Sequence, residues 1–288
     1  MRVRKAVILA AGFGTRFLPA TKTVPKEMLT LFDRPVIQYI VEEALAAGLD
    51  QIIMVTSSFK RAMEDHFDHN FELEHALESA GKLAPLEGVR RLAEVPMVFV
   101  RQKERLGNGH AVMIARELVG NEPFAVFFPD DVIFHPVPAI RQLIDVHESH
   151  GGTVLAVQQV PREQVSLYGI IDPKPVADRL YEVQSVVEKP PVDEAPSNLA
   201  TVGRFVVTPE IFEVLDATPR GRSGEIWLMD AFDNLRRQQT VYAYEYEGVR
   251  FDCGQPLGLL KAAVYQGLHN SETADDLKAY LQRLPQDR

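Results

Sequence analysis

The sequence predicts an α/β fold in which helices cover both faces of a mixed, mostly parallel sheet. Three observations predict it. Strand and helix patterns alternate through the first half of the chain, the strand candidates there are continuous apolar runs, and turn-forming residues bound them. Strands of parallel sheets have this composition because both of their faces are buried. Since helices alternate with these strands, they are expected on both faces of the sheet.

The first half provides the strands of the parallel part. They are predicted over residues 5–10, 51–56, 97–100 and 124–128. One helix is predicted to begin near Asp33-Arg34-Pro35, where proline suits the first turn, and to end at Gly48. Another covers residues 109–118. Residues 61–96 carry apolar side chains at helical spacing, which predicts a helical insertion between the second and third strands.

The second half is richer in strand patterns, and proline-rich breaks separate some of them. Strands are predicted over residues 153–158, 170–172, 180–188, 200–207 and 241–246, and a final helix over 274–284. The pattern changes near residue 150 without a linker. We therefore expect one domain over residues 1–288, composed of a first half (1–150), a second half (151–270) and a C-terminal helical segment (271–288).

Composition narrows the class of protein. With 288 residues, of which 46% are hydrophobic, the chain is large enough for a buried core. The formal net charge of −9 argues against a nucleic-acid-binding protein. A single cysteine, Cys253, cannot form an internal disulfide, which favours a reducing, cytoplasmic setting. No signal-peptide pattern and no run near the roughly 18 apolar residues of a membrane span is found, so no membrane association is expected.

The most specific local signal is the loop Ala11-Gly12-Phe13-Gly14-Thr15-Arg16, which follows the first predicted strand. Small residues at such a place let a phosphate chain approach the backbone, whose N–H groups then bind its oxygens. Phe17 excludes the dinucleotide fingerprint, which needs a small residue there. The Walker A loop is excluded because no Lys-Ser or Lys-Thr pair ends the loop.

Three cations, Arg16, Lys22 and Lys26, follow the glycines, and Pro19 and Pro25 prevent a regular helix between them. The alternative interpretation is an ordinary strand–helix turn with solvated lysines. A cluster of cations in a chain of negative net charge favours a phosphate-binding loop over that alternative.

Asp130 and Asp131 follow the predicted strand 124–128 and Pro129. Acidic residues at the carboxyl edge of such a strand face the ligand crevice of an open α/β sheet. Adjacent residues of an extended segment point in opposite directions. One of the two is therefore expected to coordinate Mg²⁺, and the other to serve as a cap or turn residue.

The motif Gly12-x-Gly14-Thr15-Arg16, with Pro25-Lys26 after it, resembles the signature of the sugar-1-phosphate nucleotidyltransferases. The resemblance covers residues 6 to about 268 and is strongest to the bacterial subgroup that uses UTP and glucose 1-phosphate, which the helical insertion also suits. It implies a Rossmann-like core with an added sugar-binding β region. The further matching motifs are Ala20-Thr21-Lys22-x-x-Pro25-Lys26-Glu27-Met28, His66-Phe67-Asp68, Phe71-Glu72-Leu73-Glu74, Gly109-His110-Ala111-Val112, Val187-Glu188-Lys189-Pro190, Ala195-Pro196-Ser197-Asn198-Leu199-Ala200, Gly203-Arg204 and Phe251-Asp252-Cys253-Gly254.

This resemblance implies in-line attack of a sugar-phosphate oxygen on the α-phosphorus of UTP, giving UDP-glucose and pyrophosphate, with Mg²⁺ as cofactor. It implies that Arg16 binds the β- and γ-phosphates, that Lys26 acts at the reacting centre, and that Asp130 is the magnesium ligand of the acidic pair. Asp252 resembles a second ligand, although it could equally cap a helix that begins near Pro256. The implied nucleotide-binding residues are Ala11, Gly12, Gly14, Thr15, Gln102 and Gly107, and the implied sugar-phosphate-binding residues are Gly169, Glu188, Lys189 and Gly203.

Several alternatives stay open from sequence. The Gln102 amide offers one donor and one acceptor to the imide edge of uracil, but thymine differs only by a methyl group, so dTTP is not excluded, nor are CTP and another sugar phosphate. Trp227 and Met229 stand where the resemblance predicts polar residues, which leaves the sugar open. A non-catalytic nucleotide-sensing module is disfavoured because Arg16, Lys26, Asp130 and Lys189 are all present. The resemblance also implies a homo-oligomer, a dimer or a tetramer.

Overall fold

Both halves of the chain contribute strands to one nine-stranded sheet in the computed structural model, which describes residues 2–221 and 224–284. The sheet has the order β5-β4-β1-β6-β11-β8-β12-β10-β9, and β13-β7 and β2-β3 form two small sheets. The strands are β1 (Lys5–Leu9), β2 (Thr30–Leu31), β3 (Arg34–Pro35), β4 (Gln51–Thr56), β5 (Met97–Arg101), β6 (Phe124–Phe127), β7 (Asp131–Phe134), β8 (Thr153–Gln159), β9 (Gly169–Ala177), β10 (Leu180–Glu188), β11 (Leu199–Val207), β12 (Val241–Glu245) and β13 (Val249–Asp252).

The helices pack on both faces of this sheet. They are α1 (Val36–Ala46), α2 (Arg61–His66), α3 (Phe71–Ser79), α4 (Leu83–Ala93), α5 (Asn108–Ile114), α6 (Arg116–Val119), α7 (Ala139–His150), α8 (Ile211–Ala217), α9 (Leu228–Leu235), α10 (Pro256–His269) and α11 (Ala274–Arg283). None of them, within the described ranges, has the length and apolar character that crossing a membrane requires.

Strand β1 shows why the predicted pattern is fully apolar. Ala6 and Ile8 face a core that includes α1 and α7, whereas Val7 faces a second core that includes α5, α8 and α9. All three residues are completely buried. Because β1 lies between helices on both sides, neither of its faces carries polar residues, as expected for a central parallel strand.

The predicted α/β fold with a mixed sheet is confirmed, and the two halves pair differently. Strands β5, β4, β1 and β6 are parallel neighbours, and β8 and β12 are also parallel. Strand β11 is antiparallel to both β6 and β8, and β10 is antiparallel to β12 and β9. Strand β11 therefore joins the second half to the first, directly beside the strand that leads into Asp130.

Some elements differ from the sequence-based expectation. The helical insertion at 61–96 is confirmed as α2, α3 and α4. The strand predicted over 170–172 continues to Ala177 in spite of Pro173 and Pro175, because β9 is an edge strand, where proline is tolerated. The pairing of β7 with β13 was not predicted, and it sets Asp131 opposite Asp252. The last four residues of the predicted C-terminal segment lie outside the described residues.

Candidate active site

Two cavities meet at the carboxyl ends of β1 and β6. The first cavity, of about 430 Å³, is lined by the glycine loop together with Lys26, Gln102, Gly107 and other residues. The second cavity, of about 390 Å³, is lined on one side by Tyr168, Gly169, Glu188, Lys189 and Trp227. Asn108, Phe128 and Asp130 line both. The structure therefore gathers the predicted site residues in one cleft with two compartments.

The glycine loop packs closely against Lys26. Gly14 has a left-handed backbone with φ of 70°, and a Cβ atom placed on it would lie 2.8 Å from the Cβ of Lys26. Only glycine combines this conformation with this approach. The Thr21 hydroxyl donates to the Gly14 carbonyl oxygen at 2.7 Å. The loop thus holds the stem of Lys26 beside the first cavity.

Lys26 forms an ion pair with Asp130 across 104 residues of sequence, with Nζ 2.5 Å from Oδ2. Burial disfavours the charged form of both groups, but their mutual attraction, together with the attraction of Glu27 for Lys26, outweighs it. The pKa of Lys26 is raised and that of Asp130 is lowered. Both groups therefore stay charged at neutral pH, and Lys26 balances the carboxylate that the resemblance assigns to the metal.

Asp252 brings a second carboxylate to the same place. A Cβ atom on Gly254 would lie 2.6 Å from Asp130 Oδ2 and 3.0 Å from Asp252 Oδ1, so both oxygens border one small space. The pKa of Asp252 is raised by its burial and by the negative charges of Asp131 and Asp130. Crowded carboxylates of this kind favour a bound cation.

This pair fits a magnesium ion whose coordination is completed by other oxygens. The described residues contain no group of three or more His, Cys, Asp or Glu side chains that could hold a metal by themselves. Magnesium commonly takes only one or two protein carboxylates and obtains its remaining ligands from phosphate and water. The alternative that Asp252 caps the helix near Pro256 was wrong, because the N-cap residue of α10 is Gln255 and no side chain caps this helix. The Asp252 side chain instead accepts from Gly254 N through Oδ1 at 3.0 Å.

The prediction that Asp131 is a cap or turn residue was wrong. Its side chain is buried in β7, where Oδ2 accepts from the Gly203 N–H at 2.9 Å and Oδ1 accepts from Arg250 Nε at 2.6 Å. These contacts tie β7 to β11 and β13. Sequence could not reveal this role, because both partners are distant along the chain.

On the opposite side, Glu188 ends β10, Lys189 follows it, and both residues line the second cavity. Lys189 has a φ of 47°, an unfavourable conformation for a residue with a side chain. Its N–H donates to the Tyr168 carbonyl at 2.9 Å, and its Nζ lies 2.9 Å from Glu188 Oε1 and 4.8 Å from the centre of the Trp227 ring. Strain of this kind is concentrated at functional sites, since the surrounding structure must maintain it.

Gly169 and Gly203 line the second cavity, but internal packing already requires them. A Cβ atom on Gly169 would lie 2.8 Å from Thr201 Oγ1 and 2.9 Å from Met229 Sδ. On Gly203 it would lie 2.4 Å from Phe128 Cβ. Both glycines therefore bring neighbouring elements together around the cavity.

Gln102 is buried in the wall of the first cavity, and its amide nitrogen is already engaged. Nε2 donates to the Gly107 carbonyl oxygen at 3.0 Å and lies 3.1 Å from His110 Nδ1. These contacts of Nε2 hold the amide in one orientation. Its oxygen is left to accept a hydrogen bond, which suits the N3–H of a uracil or thymine ring.

Arg16 is exposed and lines the second cavity rather than the first. Its charge is close enough to Lys26 to lower the pKa of that lysine, although the carboxylates have the larger effect. Its assignment to the β- and γ-phosphates stays a prediction.

The lining residues that sequence reasoning missed include Asn108 and Arg105. Asn108 lies between the cavities, and its Oδ1 accepts from Leu228 N at 2.8 Å. Arg105 lies over the Phe13 ring, with its guanidinium carbon 2.8 Å from the ring centre, at the rim of the first cavity. The only available signal was their position beside Gly107, since neither belongs to a recognised chemical motif.

The α/β sheet carries a glycine loop, the Lys26–Asp130 pair and two adjoining cavities, an arrangement expected of a nucleotide-dependent transferase. A family model described as nucleotidyl transferase matches residues 5–266. The chain belongs to this family, whose members generally use a divalent metal ion.

Relatives within the family are similar over almost their full length. The chain is 50% identical to the UTP–glucose-1-phosphate uridylyltransferase of Staphylococcus epidermidis, over 98% of this chain and 99% of that protein. A UTP-bound UGPase structure from Acinetobacter baumannii is 41% identical, with a TM-score of 0.91 over 98% of this chain and 100% of the other. A UDP-glucose pyrophosphorylase complexed with UDP-glucose is 38% identical, with a TM-score of 0.84 over 93% of this chain and 100% of the other.

Proposed function

We propose that this protein transfers the uridylyl group of UTP to glucose 1-phosphate, giving UDP-glucose and pyrophosphate. The observation that carries the proposal is the meeting of two cavities at Asp130, one bordered by the glycine loop and the other by Glu188 and Lys189. The names of the relatives support the choice of substrates, because they are similar along the whole chain.

In this proposal, the first cavity binds UTP. The glycine loop, including Ala11, Gly12, Gly14 and Thr15, approaches the nucleotide phosphates, while the Gln102 oxygen accepts from the base. The second cavity binds glucose 1-phosphate, with Lys189 at the phosphate and Glu188 accepting from sugar hydroxyls. The sugar phosphate then enters beside Asp130, from the side opposite the nucleotide, and its oxygen attacks the α-phosphorus in line with the departing pyrophosphate.

Electrostatic stabilisation is the main requirement of this chemistry, because both reactants are anions and no protein nucleophile is needed. Lys26 and Lys189 approach the reacting centre from the two cavities. A cation about 4 Å from an anion contributes on the order of 4 kcal/mol at an effective dielectric constant near 20. That contribution equals about three decades of rate if it appears only in the transition state.

Magnesium is the proposed cofactor, with Asp130 and Asp252 as its ligands. When bound, Mg²⁺ would offset the phosphate charge and orient the phosphate groups. Lys26, which lies beside Asp130, would face the same phosphates.

The choice of triphosphate and sugar can be tested by measuring pyrophosphate release with UTP, dTTP and CTP, each combined with a panel of hexose 1-phosphates. We expect the highest kcat/KM for UTP with glucose 1-phosphate. Release that is fastest with another pair would overturn the assignment of substrates. Pyrophosphate release with no pair would instead favour a nucleotide-sensing module.

We also propose a homo-oligomeric state and a cytoplasmic location. The location is proposed because Cys253 is a free, buried thiol.

A further inference from the structure

A second ion pair lies directly behind the catalytic lysine. The Lys60 ammonium contacts both carboxylate oxygens of Glu27 at 2.7 Å, and Glu27 follows Lys26 in sequence. Lys60 is 5% exposed and Glu27 is 1% exposed. Burial of two charges is costly, and such pairs contribute little net stability compared with apolar residues. The position of the pair beside Lys26 therefore points to a role in the site.

The pair joins the glycine-loop segment to the central sheet. Lys60 follows β4, which pairs along its length with β1. Glu27 lies in the short 3₁₀ turn Lys26–Met28. Most residues between Gly12 and Val24 are exposed, so the loop has few core contacts of its own. The buried contact thus sets the position of the turn that carries Lys26.

Four charges alternate in sign along this arrangement: Asp130, Lys26, Glu27 and Lys60. Burial lowers the pKa of Lys26, and the negative charges of Asp130 and Glu27 more than offset that effect. Glu27 is therefore already an electrostatic partner of Lys26. If Lys60 were removed, Lys26 would be the adjacent cation able to compensate the buried Glu27 carboxylate.

We infer that Lys60 is a positioning residue for the transfer reaction. By neutralising Glu27, it keeps the Lys26 ammonium directed at Asp130 and the substrate phosphates. Lys60 acts through these neighbours and makes no contact with the reacting atoms. The inference rests on the proposed function, because it takes Lys26 to act on phosphate at the reacting centre.

The test compares Lys60→Met, Glu27→Gln and the double variant by steady-state kinetics. We expect Lys60→Met to lower kcat by at least about tenfold, with KM for each substrate changed less than about threefold. Adding Glu27→Gln should restore most of kcat, because the competing charge is then absent. Glu27→Gln by itself should lower kcat less than Lys60→Met does, because it leaves no buried carboxylate that could draw Lys26 away from Asp130.

Lys174→Met is the matched control, because Lys174 forms an exposed pair with Glu182 at 2.9 Å. It should leave kcat unchanged. A wild-type kcat in Lys60→Met would overturn the inference. A double variant as slow as Lys60→Met would overturn it too, because that result would mean that Lys60 only supports the fold. If Lys60→Met does not fold, the inference is tested on Glu27→Gln and the double variant. Slow turnover in both of them contradicts the inference.

The wild-type protein is assayed beside these variants with UTP and glucose 1-phosphate. Absence of wild-type turnover would count against the proposed function and not against the role of Lys60. The variants are then compared on the triphosphate and sugar phosphate that the substrate panel identifies, so the two failures are distinguishable.

Discussion

The fully buried guanidinium group of Arg204 donates to the carboxylate of Glu43 at 2.7 Å, which links β11 to α1. The same group donates to the carbonyl oxygens of Phe128 at 3.2 Å and Asp131 at 2.6 Å. It therefore holds the backbone on both sides of Asp130. The pair connects the core of the protein to the position of its proposed metal ligand.

Arg204→Met should lower the free energy of unfolding by about 3–5 kcal/mol, because it leaves Glu43 buried without its cation. Urea denaturation measures this change. Arg91→Met is the control, since Arg91 pairs with Glu87 at 2.7 Å on the surface, where the expected loss is below about 1 kcal/mol. A loss of stability in Arg204→Met as small as that in Arg91→Met would show that the buried pair is unimportant for stability.

Asp130→Asn should lower kcat by about two decades or more at saturating Mg²⁺, because a neutral amide holds the cation poorly and no longer pairs with Lys26. The measurement is pyrophosphate release over a Mg²⁺ titration. Asp145→Asn, on the exposed face of α7, provides a control of equal chemistry. Near-normal turnover of Asp130→Asn would exclude Asp130 as a magnesium ligand.

Asp252→Asn should stabilise the metal-free protein at neutral pH and remove its stabilisation by Mg²⁺. Burial and neighbouring charges raise the pKa of Asp252, so the folded protein holds this proton more tightly than the unfolded chain does. Ionised Asp252 therefore costs stability at pH values above its ordinary pKa, and asparagine avoids that cost.

Calorimetry of wild type and Asp252→Asn, with EDTA and with Mg²⁺, measures both effects. We expect the melting temperature in EDTA to be higher for Asp252→Asn than for the wild type, because the variant has no ionised carboxyl group at this crowded position. At low pH, where Asp252 of the wild type is protonated, the difference in melting temperature between wild type and variant should vanish. A variant that melts lower in EDTA and still responds to Mg²⁺ would exclude Asp252 as a ligand.

Lys189→Ala should raise KM for glucose 1-phosphate by at least about tenfold and change KM for UTP little, because Lys189 lies only in the wall of the second cavity. Steady-state kinetics with each substrate varied in turn measures both constants. The exposed Lys174 again provides a control substitution. The opposite pattern would mean that the two cavities have been assigned to the wrong substrates.

Arg16→Ala should lower kcat while the affinity for UDP-glucose changes less than about twofold. The β- and γ-phosphates leave as pyrophosphate, so contacts with them strengthen in the transition state and are absent from this product. Calorimetric titration with UDP-glucose is measured beside the forward rate. If Arg16→Ala instead raises KM for glucose 1-phosphate, as its place in the second cavity permits, Arg16 belongs with Lys189 and the leaving-group role is wrong.

Local patterns were sufficient for much of this architecture. Strands β1, β4 and β6 were predictable because a strand buried on both faces must be apolar throughout, and that requirement is visible within a few residues. The glycine loop was equally visible, since close backbone approach restricts the residue types there. The roles of Arg16, Lys26, Asp130 and Lys189 came from the resemblance to a family rather than from such patterns.

Contacts between distant segments were not predictable. The pairs Lys26–Asp130, Asp131–Arg250 and Lys60–Glu27 join residues 104, 119 and 33 positions apart. Asp131 shows the consequence: beside Asp130 in sequence it looks like a turn residue, yet its buried carboxylate binds two other strands. A charged side chain follows no periodic pattern, and its role depends on which partner offsets the cost of its burial. That partner is determined by strand order and pairing, which exist only once the chain has folded.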